Sequence, residues 1–169
     1  MQNAIARSAG KTFLLILMMV SLALTAWAAG GGGGGGDSGE ENDSSKPLAY
    51  RHAVKAIKAQ DYKGAIEILT QYVAEHGDDA DGFNYLGFSY RKVGDYDNAL
   101  KYYGRALELD PKHRGAHEYL GEAYLELNRL EDAKKELAAL DKLCWLPCQE
   151  YSLLKTAVEK YETGAKPTY

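Results

Sequence analysis

Residues 80–113 read ADGFNYLGFSYRKVGDYDNALKYYGRALELDPKH, and their small and aromatic side chains recur at helical intervals. Gly94 predicts the end of a first helix, because glycine readily adopts the left-handed conformation at a helix C-terminus. Asp95 predicts the cap of a second helix, and Pro111 predicts its end, because a proline inside a helix loses a hydrogen bond and clashes. The stretch therefore predicts two helices joined by a short turn.

The two predicted helices must cross closely, since Gly87 and Ala99 are small while Tyr90 and Tyr103 fill the space beside them. Copies of the pattern flank this one at residues 46–79 and 114–147. The three copies repeat every 34 residues. A period of this length is typical of stacked-helix solenoids, which hold partners rather than perform catalysis. The predicted fold is all-α, an antiparallel helix-pair solenoid of about three units.

The flanking copies depart from the pattern in different ways. In the third copy Asn128 replaces the turn glycine, and asparagine also tolerates the left-handed region. The first copy is weaker, although Asp61 and Tyr62 match Asp95 and Tyr96. Terminal repeats are commonly atypical because one of their faces meets solvent. Residues 148–162 predict a capping helix over the last repeat, and residues 163–169 predict a flexible tail.

This spacing strongly resembles the tetratricopeptide repeat, a helix–turn–helix unit. The residues that carry the resemblance in the central copy are Leu86, Gly87, Tyr90, Ala99, Tyr103, Ala106 and Pro111. Agreement at seven spaced positions makes the signal specific. The resemblance covers residues 46–147, so the predicted domain runs from residue 46 to residue 162.

The N-terminus carries the features of a secretory signal peptide. Arg7 and Lys11 precede an almost wholly apolar stretch over residues 12–25, and Ala26-Trp27-Ala28 ends it with the small residues that a signal peptidase reads. An uncleaved membrane anchor is the alternative. Residues 29–45, with the glycine run 30–36 and acidic and hydroxyl residues after it, predict a disordered linker.

The net charge of the chain without residues 1–28 and its predicted location exclude some classes of partner. Removal of residues 1–28 takes away two of the 20 Lys and Arg residues and none of the 24 Asp and Glu residues, which leaves a formal net charge of −6. This charge argues against nucleic acid or an anionic membrane surface. Residues 140–154 are similar to the C-terminus of small exported tetratricopeptide proteins of Gram-negative bacteria, which implies a periplasmic location.

Cys144 and Cys148 are the only two cysteines, and an oxidising compartment would join them in a disulfide. The bridge would fix the angle of the capping helix. A redox-active pair is the alternative, although three intervening residues do not give the C-x-x-C motif. His113 and His117 lie four residues apart and could share a metal, but metal sites usually need further ligands. We predict no metal and no cofactor.

The sequence predicts a binding protein and no enzyme, because no catalytic motif is present. In the family that it resembles, the first helix of each repeat lines the concave face. The corresponding residues here are Tyr50, Val54, Ile57, Lys58, Asn84, Phe88, Arg91, Lys92, Glu118, Glu122 and Leu125.

The resemblance implies an adaptor that binds a protein or peptide and assists assembly of an envelope or periplasmic complex. A thiol-redox or metal-handling envelope protein, using the cysteine or histidine pair, is the alternative function. A shallow groove without a specific ligand, and self-association through the ends of the solenoid, also stay open.

Overall fold

The computed structural model describes residues 45–164, and within this range the secondary structure is entirely helical. Residues 1–28, interpreted as a signal peptide, most of the predicted linker and the end of the predicted tail lie outside the described residues. The seven helices are α1 Leu48–Lys58, α2 Tyr62–Glu75, α3 Ala80–Lys92, α4 Tyr96–Leu109, α5 Arg114–Glu126, α6 Leu130–Leu143 and α7 Gln149–Glu162. The all-α helix-pair prediction is confirmed.

The helices pack in chain order, each against the next, and the first helices of neighbouring units also contact each other. This is the packing of a stacked-helix array, in which a unit buries its apolar surface against its neighbours. The last helix, α7, packs against both α5 and α6. Among the described residues no helix is long and apolar enough to span a bilayer.

Left-handed residues end the first helix of each unit. Gly94 has φ of 83°, and Asn128 takes its place in the third unit with φ of 59°. Both turns were predicted. Gln60 occupies the same turn in the first unit with φ of 59°, which is uncommon for a residue that is neither glycine nor asparagine.

The predicted close crossing lies inside the second unit. A Cβ atom placed on Gly87 would lie 2.8 Å from the Tyr103 ring, which is fully buried. Ala99 and Tyr103 pack there with Leu120 and Ala123 of α5, so this crossing also seats the third unit. A larger cluster around Leu69 and Leu86 fills the first two units, and a third joins α5 and α6 to Leu154, Ala157 and Val158 of α7.

Candidate functional site

The predicted binding residues lie on α1, α3 and α5, the first helix of each unit. Helix α3 contacts both α1 and α5, so the three helices form one continuous surface. We call it the first-helix face. Its residues divide into those that remain accessible and those that the packing buries.

Helix α1 contributes little polar surface to the first-helix face. Tyr50 is buried, and its ring packs at centroid distances of 5.6 Å from Tyr72 and 5.8 Å from Tyr85. Val54 and Ile57 are half-buried against the same cluster, and only Lys58 is exposed. Tyr50 is therefore a core residue, because residues of α2 and α3 surround it.

Phe88 of α3 lies at the centre of an aromatic cluster on this face. Its ring centroid is 5.0 Å from that of Tyr119 on α5 and 6.1 Å from that of Tyr62, the first residue of α2. All three side chains are half-buried, so each offers part of its ring to a ligand. Sequence reasoning selected Phe88 and missed the two tyrosines, whose proximity follows from packing between units.

Arg91 joins α3 to α5 through buried ion pairs. Its Nη2 atom lies 2.7 Å from Glu122 Oε2, and its Nη1 atom lies 3.2 Å from Glu126 Oε1. Burial lowers the pKa of Arg91, but Tyr103 and the two carboxylates outweigh burial and raise it. Arg91 is thus charged and is held by the protein itself, with only 3% of the residue exposed.

Lys92, the next residue, has different surroundings. It is half-buried, and its Nζ atom lies 5.2 Å from the centroid of the Phe88 ring. Burial and the neighbouring Arg91 lower the pKa of Lys92, while Glu122 and Glu126 oppose the shift. Lys92 therefore places an ammonium group beside the aromatic cluster.

Helix α5 contributes buried acids. Glu118 is only 2% exposed, and burial, followed by the charges of Glu122 and Glu150, raises its pKa to about 8. Burial also raises the pKa of Glu122, against the opposing charge of Arg91. Leu125 is buried in the cluster that includes α7. These three predicted binding residues therefore offer little surface to a partner.

Asn84 of α3 is buried as well, with 4% of the residue exposed. Its Oδ1 atom accepts no hydrogen bond from the described part of the chain. Of the residues predicted on α3, Phe88 and Lys92 are therefore the two that a partner can reach.

The two cysteines lie in the loop between α6 and α7 and are paired as a disulfide, with their Cα atoms 5.7 Å apart. The bridge joins the residue after α6 to the residue before α7, where the sequence predicted it. Between them Trp145 is 95% exposed and Leu146 is 68% exposed. The loop thus presents two large apolar side chains to solvent.

The two histidines face different partners. His113 caps α5, with Nδ1 accepting from the Ala116 backbone at 3.1 Å and Nε2 lying 3.0 Å from Asp81. His117 lies 2.7 Å from Glu136 through Nδ1. Within residues 45–164 no group of three or more His, Cys, Asp or Glu side chains could hold a metal ion. The geometry therefore lends no support to the metal-handling alternative.

A family model of the tetratricopeptide repeat matches residues 90–143, which run from the end of α3 to the end of α6. This stretch of the chain carries the tetratricopeptide repeat pattern. The match includes the turn at Gly94 and the whole of the third helix pair, so the family assignment and the helix packing agree. No curated protein sequence matches the chain.

Solved structures share this tetratricopeptide fold. The type III secretion chaperone SycD of Yersinia enterocolitica, in complex with a peptide of the translocator YopD, is similar with a TM-score of 0.60 and 22% identity, over 69% of this chain and 88% of that chain. The second such domain of human RPAP3, in complex with an HSP70 peptide, gives a TM-score of 0.60 and 23% identity over 66% and 92%. At these identities the likeness concerns the fold.

Proposed function

We propose that this chain is an exported adaptor that binds a segment of another protein along the first-helix face. The observation that carries the proposal is the accessible aromatic cluster of Tyr62, Phe88 and Tyr119 with Lys92 beside it. Half-buried aromatic side chains are effective anchors, because they supply large contact areas at low entropic cost.

The structural likenesses support a peptide or protein as the ligand. SycD and the RPAP3 domain were both solved in complex with peptides. Helix-pair solenoids offer extended surfaces that suit an extended segment or a helix. In this chain the accessible part of that surface carries aromatic rings and the Lys92 ammonium, which suits recognition of a mixed apolar and charged segment.

We further propose that the protein acts outside the cytoplasm, in the periplasm, where it assists assembly of an envelope complex. The signal-like residues 1–28 and the Cys144–Cys148 pair support this location, because disulfides persist in oxidising compartments. Mass spectrometry of the native protein would test it. A cytoplasmic protein that retains residue 1 and alkylates at both cysteines without reduction would count against export.

Site-specific photocrosslinking tests the binding surface. A photoreactive phenylalanine analogue at position 88 should crosslink a partner in cells that express the full chain, residues 1–169. The matched control places the same analogue at Tyr102, a half-buried aromatic residue of α4. Crosslinks of equal yield to the same proteins at both positions would contradict binding on the first-helix face.

A Phe88→Ala variant gives the second arm of the test. If Phe88 anchors the partner, the variant should lose at least tenfold in affinity for any protein identified by crosslinking. Circular dichroism must first show that the variant keeps its helical content, since Phe88 also contacts Tyr119. Unchanged affinity in a folded variant would place the contact elsewhere.

A further inference from the structure

Two neighbouring cations of α3 differ in how the protein compensates them. Arg91 is held by Glu122 at 2.7 Å and by Glu126 at 3.2 Å. Lys92 has no such partner. In the described part of the chain, no carboxylate oxygen lies within 4.0 Å of its Nζ atom, the limit for a salt bridge. The accessible one of the two cations is therefore the one without an ion pair.

The surroundings of Lys92 favour an added anion. The ammonium is half-buried, which removes part of its hydration, and it lies next to the positive Arg91. The Phe88 ring at 5.2 Å compensates it only in part, since a cation–π contact is worth about 0.5–1 kcal/mol at an exposed site. A carboxylate placed here would meet a partly dehydrated cation, where charge pairing is stronger than at an open surface.

We propose that Lys92 binds the side-chain carboxylate of an Asp or Glu in the partner segment, while an adjacent apolar residue of that segment seats on Phe88 and Tyr62. This inference rests on the proposed function and names the chemistry of its ligand. The Phe88 ring lies 5.2 Å from the ammonium and 6.1 Å from the Tyr62 ring, so one segment can reach the cation and the rings with neighbouring residues.

A side-chain carboxylate suits the site better than a chain terminus. Lys92 supplies a single ammonium group, because both ends of the Arg91 guanidinium already bind glutamates. Glu122 and Glu126 also place negative charge near Lys92. A single cation pairs with one carboxylate at modest affinity, so the apolar contacts must supply most of the binding and the lysine sets register and specificity.

A peptide library tests the assignment without knowledge of the natural partner. Random twelve-residue peptides, displayed on phage with their C-termini fused to the coat protein, are selected on immobilised full-length protein. Parallel selections use Lys92→Met, which keeps the aliphatic stem, and Lys92→Glu, which reverses the charge. Lys112→Glu makes the same charge change at an exposed residue beyond α4 and serves as the matched control.

We expect the native protein and Lys112→Glu to enrich peptides with Asp or Glu next to an apolar residue. The Lys92→Met variant should lose the acidic preference and keep the apolar one, and Lys92→Glu should favour Lys or Arg. In amidated synthetic peptides, Asp→Asn or Glu→Gln should weaken binding about three- to tenfold to the native protein and less than about twofold to Lys92→Met.

An acidic preference that survives in Lys92→Glu would overturn the inference, as would an apolar consensus without acids on the native protein. The latter result would leave the proposed function intact. Enrichment on none of the variants would contradict the proposed function itself. A preference for acidic peptides that emerges only when the acidic residues within 37–43 are neutralised would overturn the assignment to a partner. It would identify that segment of the chain as the ligand of Lys92.

Discussion

The second and third helix pairs place a glycine at the same position and use it differently. A Cβ atom on Gly87 would lie 2.8 Å from Tyr103, within the same unit. A Cβ atom on Gly121 would lie 2.5 Å from Leu154 of α7, outside its unit. The same residue therefore closes a helix pair in one repeat and seats the capping helix in the next, which the repeat pattern alone does not distinguish.

Alanine substitutions at the two glycines test this difference most directly. We expect Gly87→Ala to lower the free energy of unfolding by about 3 kcal/mol, because the fully buried Tyr103 ring cannot move without disturbing the core. Gly121→Ala should cost about half as much, because the nearest atoms are the terminal methyl groups of the Leu154 side chain, which can rotate more easily than a ring even though Leu154 is also fully buried. Urea unfolding followed by circular dichroism measures both.

Gly104 provides the matched control, since nothing lies within 4 Å of a Cβ atom placed there and the residue is inside α4. Gly104→Ala should stabilise the protein by roughly 0.5–1 kcal/mol, because alanine loses less backbone entropy in a helix. A larger loss in Gly121→Ala than in Gly87→Ala would show that the cap crossing is the tighter of the two.

The buried polar residues give a second contrast between the same units. Asn84 on α3 and Glu118 on α5 occupy equivalent positions, and both are nearly fully buried. No hydrogen bond or ion pair is formed by the Glu118 side chain within residues 45–164, and Glu122 and Glu150 are its acidic neighbours. The second unit thus has a neutral amide at this position, whereas the third unit has a carboxyl group whose charge depends on pH.

The pH dependence of the free energy of unfolding tests whether Glu118 is neutral in the folded protein. The folded-state pKa of Glu118, about 8, lies above its ordinary value of 4.5, so its stabilising contribution is complete below pH 4.5 and is lost as the pH rises towards 8. Glu118→Gln should therefore match the native protein near pH 4.5 and exceed it by on the order of 5 kcal/mol at pH 8.5. Thermal unfolding at a series of pH values measures the difference.

Glu67→Gln is the control for this series, since Glu67 is exposed on α2. Its difference from the native protein should stay constant across the same pH range. A constant difference for Glu118→Gln as well would mean that Glu118 has the same pKa in the folded and unfolded protein, and that burial and its neighbours do not disfavour the charge.

The fold was predictable because its signals are local. Gly94 and Asn128 each end a helix through their own conformational preference, and the structure confirms both. Gln60 was not predictable in this role, because glutamine has no preference for positive φ, and this turn joins two helices that pack against each other. The cap helix was predicted from its apolar spacing, whereas its contact with Gly121 depends on residues 33 positions apart.

The site was predictable only in part, because burial on the first-helix face depends on neighbouring units. The repeat pattern selected Phe88 and Lys92, which remain accessible, and equally selected Tyr50 and Leu125, which the packing buries. The bond from Arg91 to Glu126 spans 35 residues, and no spacing rule within one repeat indicates it. Residue type and register predict which face a side chain lies on, but not what covers it.

Helix caps provide the smallest and most local contrast. Asp95 caps α4, with its carboxylate accepting hydrogen bonds from the backbone N–H of Asn98 at 3.2 Å and from its side-chain amide at 2.7 Å. Arg129 holds the equivalent place before α6 and makes no cap hydrogen bond. Its guanidinium instead contacts the Tyr124 ring at 4.4 Å and pairs with Asp132 at the surface.

We expect Asp95→Ala to lower the free energy of unfolding by about 1 kcal/mol, the usual cost of an N-cap, and Arg129→Ala by less than about 0.5 kcal/mol. Chemical denaturation at neutral pH measures both, with Asp78→Ala, at an exposed loop position, as the control for loss of charge. Equal losses would show that the ring contact of Arg129 stabilises the third unit as much as a cap stabilises the second. In that case the contact between Arg129 and Tyr124 would compensate the third unit for its missing N-cap hydrogen bond.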